Sequence, residues 1–241
     1  MNNSYYETLD ENFAQALNLY ENDYTHDELI SLLKNGNIVQ KQIAALRLDN
    51  VTCEEDADVL VANLTGQDGK IREVVSMRIR EFMSDENLVK YFQTTKSYDV
   101  FLDAIIDINA NICRNVISAI SNLKSNEDFC ENFCTKLVAK TLNFLEVIST
   151  FDFQQGKYKV NKEVFKLYWC LECVYAFVEN ISFSELKQII LKAKDIEEYT
   201  IREKAAKILT CNFSDAALQQ AKEELKNDSN YYVRRYFAEN L

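Results

Sequence analysis

Residues 199–209 read YTIREKAAKIL, and 32 positions later residues 231–241 read YYVRRYFAENL. The same offset relates IVQKQIAAL at residues 38–46 to KIREVVSMRI at residues 70–79. Each stretch places apolar residues three or four positions apart, which is the spacing of an amphipathic helix. Self-similarity at a fixed period of this length is typical of solenoids, so the sequence predicts a stack of repeated helical units.

The composition favours helices throughout. A chain of 241 residues would on average contain about a dozen prolines and about seventeen glycines, and this chain contains no proline and four glycines. Sandwiches, barrels and nucleotide-binding α/β folds all need frequent Gly or Pro in their turns and loops. We therefore predict an all-α protein.

The length and charge restrict the organisation and the partners. With 241 residues, of which 47% are hydrophobic, the chain can bury the core of one elongated domain. Its net charge of −11 disfavours a surface that follows phosphate groups along its whole length. The sequence pI near 4.8 leads us to expect a protein partner that is neutral or basic where it docks.

The termini and cysteines favour a cytoplasmic protein. The N-terminus has no basic start or apolar run of the signal-peptide kind, and no stretch approaches a membrane-spanning helix. Seven cysteines, an odd number, are then expected to be reduced thiols.

The apolar spacing predicts a succession of short helices interrupted by a longer pair. We expect an N-terminal cap over residues 1–34, an enlarged central hairpin over 124–182 and regular repeats over 183–241. The predicted helices cover residues 9–20, 25–33, 38–48, 53–64, 70–82, 88–91, 97–108, 111–123, 127–151, 161–181, 184–193, 201–211, 215–225 and 231–241.

The second helix of each repeat carries the pattern Val/Ile-Arg-x-x-Ala-Ala-x-x-Leu. Its best copy is Ile201, Arg202, Ala205, Ala206 and Leu209. This pattern resembles the inner helix of HEAT-like repeats, particularly the short repeats of phycobilisome-lyase-type proteins. The resemblance covers about two-thirds of the chain and implies a right-handed α-solenoid of stacked antiparallel helix pairs. That family includes scaffolds, lyases and DNA-repair enzymes, so the resemblance indicates architecture only.

Positions in this motif have different expected roles. Positions one, five, six and nine share a helical face and are expected in the core. The arginine at position two (Arg72, Arg202, Arg234) is expected to link adjacent repeats through a turn carboxylate or carbonyl groups.

Positions three, seven and ten lie about 200° around the helix from position one and should face the concave side of the stack. With Val160 assigned to position one, the central helix adds basic and aromatic residues to this strip. The predicted partner-binding residues are Arg80, Arg114, Lys162, Lys166, Trp169 and Lys207. Trp and Tyr dominate interaction hot spots, but core packing is the preferred interpretation of Trp169, because its neighbours Leu167, Leu171 and Val174 already require burial.

Other residues suggest chemistry less directly. Cys130 and Cys134 share one helical face, as do Cys170 and Cys173 on a second helix, and four such thiols can bind zinc. Their apolar helical surroundings instead favour inert core thiols, so we expect no metal and no cofactor. His26 lies in a capping box and is expected to be a solvated residue of a first helical turn.

Three functions from different classes remain open. The first is a non-catalytic protein-interaction scaffold that binds its partner on the concave face. The second, implied by the resemblance, is a nucleic-acid-binding repair enzyme of the alkylpurine glycosylase kind, which would need a basic concave stripe with aromatics and a carboxylate. The third is a lyase or chaperone of the bilin-lyase kind, supported by the repeat type alone. Since no catalytic motif is recognisable, the scaffold is preferred, with neither nucleic acid nor membrane as its partner.

Overall fold

The structure is a computed structural model that describes Ala14, Leu17 and residues 20–93, 97–153, 157–211 and 213–238. For residues 157–160 it describes the backbone alone. Most of the cap helix expected over residues 9–20 therefore lies outside the described residues.

Within these ranges the chain is helical and contains no strand, which confirms the all-α prediction. Three short 3₁₀ segments, Val89–Phe92, Ser121–Leu123 and Val178–Asn180, lie among twelve described α-helices. The α-helices are α1 (His26–Asn35), α2 (Ile38–Arg47), α3 (Glu54–Ala62), α4 (Gly69–Met83), α5 (Tyr98–Ala104), α6 (Ala110–Ile120), α7 (Glu127–Ser149), α8 (Lys157–Ala176), α9 (Phe183–Ala193), α10 (Tyr199–Ile208), α11 (Ala216–Lys226) and α12 (Tyr231–Ala238).

Polar residues start most of these helices by accepting hydrogen bonds from free backbone amides. Thr25 and Glu28 form the predicted capping box of α1, and Asn37 and Gln40 form a second one at α2. Between α3 and α4, Gly66 has a φ of 67°, which a residue without a Cβ adopts easily. Local sequence therefore sets both the helix starts and the tight turn.

The central hairpin is enlarged as expected, because α7 has 23 residues and α8 has 20. The helix predicted over residues 97–108 is shorter, since α5 ends at Ala104. Its last apolar residue, Ile108, lies in the following turn with 85% of its surface exposed. The apolar spacing alone did not reveal that the helix ends before this residue.

The chain divides into two compact units. Unit 1 comprises the described residues up to Ala104 together with residues 108–123, and unit 2 comprises residues 105–107 with the described residues from Lys124 onwards. Unit 1 thus contains α1 to α6, and unit 2 contains α7 to α12. The expected enlarged hairpin begins unit 2, and the expectation of a single domain over the whole chain stays a prediction.

Each unit consists of three helix hairpins stacked in two rows. In unit 1 the even-numbered helices α2, α4 and α6 contact one another in succession, and the odd-numbered helices α1, α3 and α5 do the same. In unit 2, α8, α10 and α12 form the even row, and α7, α9 and α11 form the odd row. Each unit therefore has the two-row arrangement of a helical repeat stack. The even row contains the helices that carry the motif.

The core of each repeat lies between the rows. Ile201, Ala205, Ala206 and Leu209 are all buried, as the motif predicts for positions one, five, six and nine. Their counterparts on α4 are buried as well, namely Ile71, Val75, Ser76 and Ile79. In unit 2, the rings of Phe129 and Phe133 on α7 stack on each other and are buried.

Candidate partner-binding face

In unit 1 the two rows carry opposite charge. Counted over the helix bounds, the even row has seven Lys and Arg against two Asp and Glu, whereas the odd row has one against eight. The even-row cations are Lys41, Arg47, Lys70, Arg72, Arg78, Arg80 and Arg114. The odd-row acids are Asp27, Glu28, Glu54, Glu55, Asp56, Asp58, Asp99 and Asp103. The overall acidity of the chain therefore does not extend to this even row.

Unit 2 repeats the difference in a weaker form. Its even row has nine Lys and Arg against three Asp and Glu, and its odd row has six against seven. The even-row cations are Lys157, Lys159, Lys162, Lys166, Arg202, Lys204, Lys207, Arg234 and Arg235. Both even rows are thus basic within a chain whose net charge is −11.

Hydrogen-bonded side chains connect neighbouring even-row helices in unit 1. The buried Asn115 on α6 donates to Ser76 Oγ at 3.2 Å and accepts from Arg80 Nη1 at 2.9 Å. Beside it, Asn111 donates to Glu73 Oε1 at 3.0 Å and accepts from Arg114 Nη1 at 3.1 Å. Arg80 and Arg114 therefore both take part in the hydrogen bonds around α4 and α6, and each holds an asparagine side chain in place.

A denser group of charges connects α8 to α10 in unit 2. Glu172 accepts from Lys204 Nζ at 2.7 Å through one carboxylate oxygen and from Lys207 Nζ at 2.6 Å through the other. The Lys204 ammonium lies 4.1 Å from the ring centroid of Tyr168, and that of Lys207 lies 4.2 Å from the ring centroid of Tyr175. Each ammonium is therefore bound by a carboxylate and by an aromatic face.

The environment of these groups keeps them ionised. Burial acts to raise the pKa of Glu172, but the hydrogen bonds from Lys204 and Lys207 outweigh it and leave the pKa below its usual value. Burial likewise acts to lower the pKa of Lys204, and the bond to Glu172 leaves that pKa above its usual value. Both groups are therefore charged at neutral pH.

The next even-row pair places aromatic residues on the same face. Glu203 on α10 accepts from Arg235 Nη2 at 3.0 Å and from the Tyr236 hydroxyl at 3.3 Å. The Arg235 guanidinium lies 5.3 Å from the ring centroid of Tyr232, which is 49% exposed. The face thus combines an arginine with tyrosines, and both residue types are enriched in protein interfaces.

The register assigned to α8 from the sequence is wrong. Trp169 was expected at motif position ten on the concave face, but it is 7% exposed and packs in the interior against Phe165 and Tyr168. Lys166 pairs with Glu163 at 2.8 Å, and its ammonium lies 5.7 Å from the ring of Phe144 on α7. Both residues therefore point away from the face that α8 presents beside α10.

Two predicted residues remain, Lys207 and Lys162. Lys207 bonds to Glu172 between α10 and α8, and Lys162 is exposed near the start of α8. The assigned register missed Tyr168, Glu172 and Tyr175.

The repeat period contained the signal for the correct register. Counting back 32 residues from Ile201, Ala205, Ala206 and Leu209 gives Trp169, Cys173, Val174 and Phe177. All four of these are buried. Trp169 therefore occupies motif position one. Glu172 then takes position four, which is not among positions three, seven and ten predicted for the face.

The single histidine, His26, makes a contact between helices that the sequence did not predict. His26 Nε2 lies 2.8 Å from Asp56 Oδ2 on α3, and the same carboxylate oxygen accepts from the Thr52 amide and hydroxyl at 2.8 Å each. His26 lies in the first turn of α1 as predicted, with 26% of its side chain exposed, and its imidazole also links α1 to α3. Periodicity within one helix does not report such a contact between repeats.

The cysteines of the central hairpin are buried free thiols. Burial raises the pKa of Cys134 and of Cys170 to about 12, so both are protonated at neutral pH. Among the described residues, no group of three or more His, Cys, Asp and Glu side chains is arranged to hold a metal ion.

Similar proteins are found among solved structures but not among family models or curated proteins. No protein-family model and no curated protein matches the sequence. Among solved structures, an engineered protein from the Northeast Structural Genomics Consortium has 13% identity and a TM-score of 0.47, covering 89% of this chain and 94% of that one. A second engineered protein from the same source has 15% identity and a TM-score of 0.48, with coverages of 89% and 96%. A designed armadillo repeat protein has 12% identity and a TM-score of 0.45, with coverages of 88% and 96%.

These values carry no inference about function. The fold rests on the two-row stacks of helix hairpins described above. The assignment to HEAT-like repeats in particular stays a prediction. No helix in the described ranges is long and apolar enough to cross a lipid bilayer.

Proposed function

We propose that this chain is a non-catalytic scaffold of the HEAT-like kind that binds another protein on its even-row helices. The observation that carries the proposal is the charge difference between rows. In unit 1 the even row is basic and the odd row acidic, seven cations against two acids in one and one against eight in the other. Side chains from successive even-row helices also meet one another, so several repeats can contact one ligand.

The charge difference changes the expected chemistry of the partner. From the net charge of the whole chain we expected a partner that is neutral or basic where it docks. The basic even rows instead favour a partner that is acidic where it meets them, since complementary potentials increase association rates and specificity.

The pairing of the cations favours a protein over a nucleic acid. Lys204 and Lys207 bind Glu172, Arg235 binds Glu203, and Lys166 binds Glu163. Binding to a phosphate backbone gains its affinity from cations that replace counterions along the strand. In unit 2 the carboxylates of Glu163, Glu172 and Glu203 interrupt the row of cations, so this row lacks the continuous basic stripe that the glycosylase alternative needs. No feature of the described residues favours the bilin-lyase alternative.

We further place this binding activity in the cytoplasm. Five of the seven cysteines are buried free thiols, and a reducing compartment keeps such thiols unpaired.

Site-specific photo-crosslinking in cells tests the proposed function. Benzoylphenylalanine is introduced at Ser118 or Tyr175 in the even rows, and at Asp58 or Gln220 in the odd rows as matched controls. We expect one protein to be crosslinked from both even-row positions and from neither odd-row position. Crosslinks that disappear on nuclease treatment, or that come equally from both rows, would contradict the proposal.

A further inference from the structure

The charges between α8 and α10 do not balance. One carboxylate, Glu172, serves two ammonium groups, those of Lys204 and Lys207, through its two oxygens. The neighbouring charges on α10 and α12, Glu203 and Arg235, neutralise each other at 3.0 Å. The group of Glu172, Lys204, Lys207, Glu203 and Arg235 therefore has one positive charge more than it has negative charges. We call these five residues the α8–α12 charge cluster.

Burial makes this surplus charge costly in the unbound protein. The Lys204 side chain is 6% exposed and that of Lys207 is 20% exposed, so neither ammonium is fully hydrated. An ion pair held only to join two helices is expected to match one cation with one anion, because unpaired charge is expensive away from water. The excess of cations indicates a place for a second anion.

Lys207 is the residue that can receive that anion. A lysine ammonium has three hydrogen-bond donors, and within the described residues the Lys207 ammonium donates to Glu172 Oε1 and lies against the ring of Tyr175. It is also the more exposed of the two lysines. An incoming carboxylate would thus complete the pairing of both lysines between the rings of Tyr168 and Tyr175.

We propose that Lys207, with Lys204 and the two tyrosines, forms a recognition site for a carboxylate of an acidic peptide segment in the partner protein. Glu172 already occupies part of this site and competes with the incoming group. The inference rests on the proposed function, which requires a protein partner on the even row, and it specifies the chemistry at one position of that row.

Fluorescence polarisation with a fluorescein-labelled peptide of alternating Glu and Ser tests the site in the full-length protein. Lys207→Gln is expected to weaken binding about tenfold, because it removes the ammonium that meets the peptide carboxylate. Glu172→Gln is expected to tighten binding several-fold, since it removes the internal competitor. A purely structural ion pair would not produce that gain.

The matched control is Lys187→Gln on α9. Lys187 pairs with Asp215 at 2.8 Å in the odd row, so this variant loses the same charge and also an ion pair. It should change the affinity by less than about twofold. Circular dichroism and melting curves confirm that each variant is folded before its binding is measured.

The outcomes separate the two proposals. If the wild-type protein binds the peptide but neither Lys207→Gln nor Glu172→Gln differs from the control, the carboxylate site is wrong and the scaffold proposal stands. If the wild-type protein binds no acidic peptide, the carboxylate site is overturned together with the acidic partner. If a single-stranded oligonucleotide binds more tightly than the peptide and depends on Lys207, a nucleic-acid function replaces both.

Discussion

Arg202 shows how one side chain joins successive repeats. Its Nε and Nη2 donate to the two carboxylate oxygens of Asp228 at 2.6 and 3.2 Å, and its Nη1 donates to the Ile196 carbonyl at 3.0 Å. For Arg202 this confirms the expected link between adjacent repeats through a turn carboxylate, with a carbonyl group as a further acceptor. Arg234 instead donates to the carbonyls of Asp228 and Ser229, in the turn directly before its own helix. The guanidinium fork suits both roles because it presents several donors in one plane.

Replacing this arginine should cost stability. Arg202→Ala leaves Asp228, whose side chain is 8% exposed, without its ion-pair partner. We expect the free energy of unfolding in urea to fall by about 2–3 kcal/mol. Lys226→Ala, which breaks a more exposed pair with Glu223, serves as the control and should stay within about 0.5 kcal/mol of wild type. Equal losses in the two variants would show that Arg202 has no special role.

The same ion pair predicts a dependence of stability on pH. Burial acts to raise the pKa of Asp228, but the bonds from Arg202 and the Asn230 amide leave that pKa below its usual value. Between the folded and unfolded pKa values the unfolded chain binds more protons, so this contribution is present above about pH 4 and is lost as the pH falls through the folded pKa. Urea unfolding at several acidic pH values should therefore show a shallower pH dependence in Asp228→Asn than in wild type. An unchanged slope would argue against the depressed pKa.

Trp169 is expected to act as a core residue. Because it occupies motif position one and is 7% exposed, Trp169→Ala should lower the free energy of unfolding by about 3–5 kcal/mol. Tyr231→Ala, at a site that is 64% exposed, should change it by less than about 1 kcal/mol. A Trp169→Ala protein that keeps its stability but loses partner binding would restore the original assignment of this residue to the binding face.

At the scale of helices, the long hairpin of α7 and α8 is sealed by apolar side chains and thiols. Cys130, Cys134, Cys170 and Cys173 are all buried, and desolvation raises the pKa of each. The rings of Phe133 and Phe177, 5.3 Å apart, close the end of this hairpin. We therefore expect the folded hairpin to keep water and thiol reagents away from these four cysteines.

Thiol labelling measures this exclusion directly. In the native protein, a disulfide reagent such as DTNB should react with the half-buried Cys53 and Cys211 well before the five buried cysteines. In denaturant all seven should react together. Fast labelling of Cys134 or Cys170 in the native state would show that the hairpin opens.

The elements could be predicted from the sequence because each one depends on local information. The capping box at Thr25 and the motif at Ile201 are complete within a single helix, and both are found where expected. The end of α5 could not be predicted, since the apolar Ile108 continues the helical spacing and only the folded turn exposes it.

The sequence identified part of the proposed binding face for the same reason. Arg80, Arg114 and Lys207 follow from motif positions that face away from the core. Glu172 and the two tyrosines required the register of α8, where the long hairpin interrupts the regular period, and a 32-residue count back from Ile201 was needed to recover it. The contact between His26 and Asp56 joins residues 30 positions apart, and no local pattern reports such a contact.

At the scale of the whole chain, charge is divided by helix row. The even-row helices contain sixteen of the 27 Lys and Arg but five of the 38 Asp and Glu. A net charge of −11 averages over this difference and therefore does not describe the motif helices, on which cations outnumber acids. Composition describes the whole chain, whereas a partner meets one face of it.

Chemical-shift mapping tests most directly the claim that the even rows are the binding face. The uniformly ¹⁵N-labelled protein is titrated with the alternating Glu and Ser peptide, and amide shifts are assigned to helices. We predict shifts on the even-row helices, largest on α8 and α10 around Glu172 and Lys207, and little change on α1, α3, α9 and α11. Shifts concentrated on the odd-row helices, or no shifts at saturating peptide, would contradict the account.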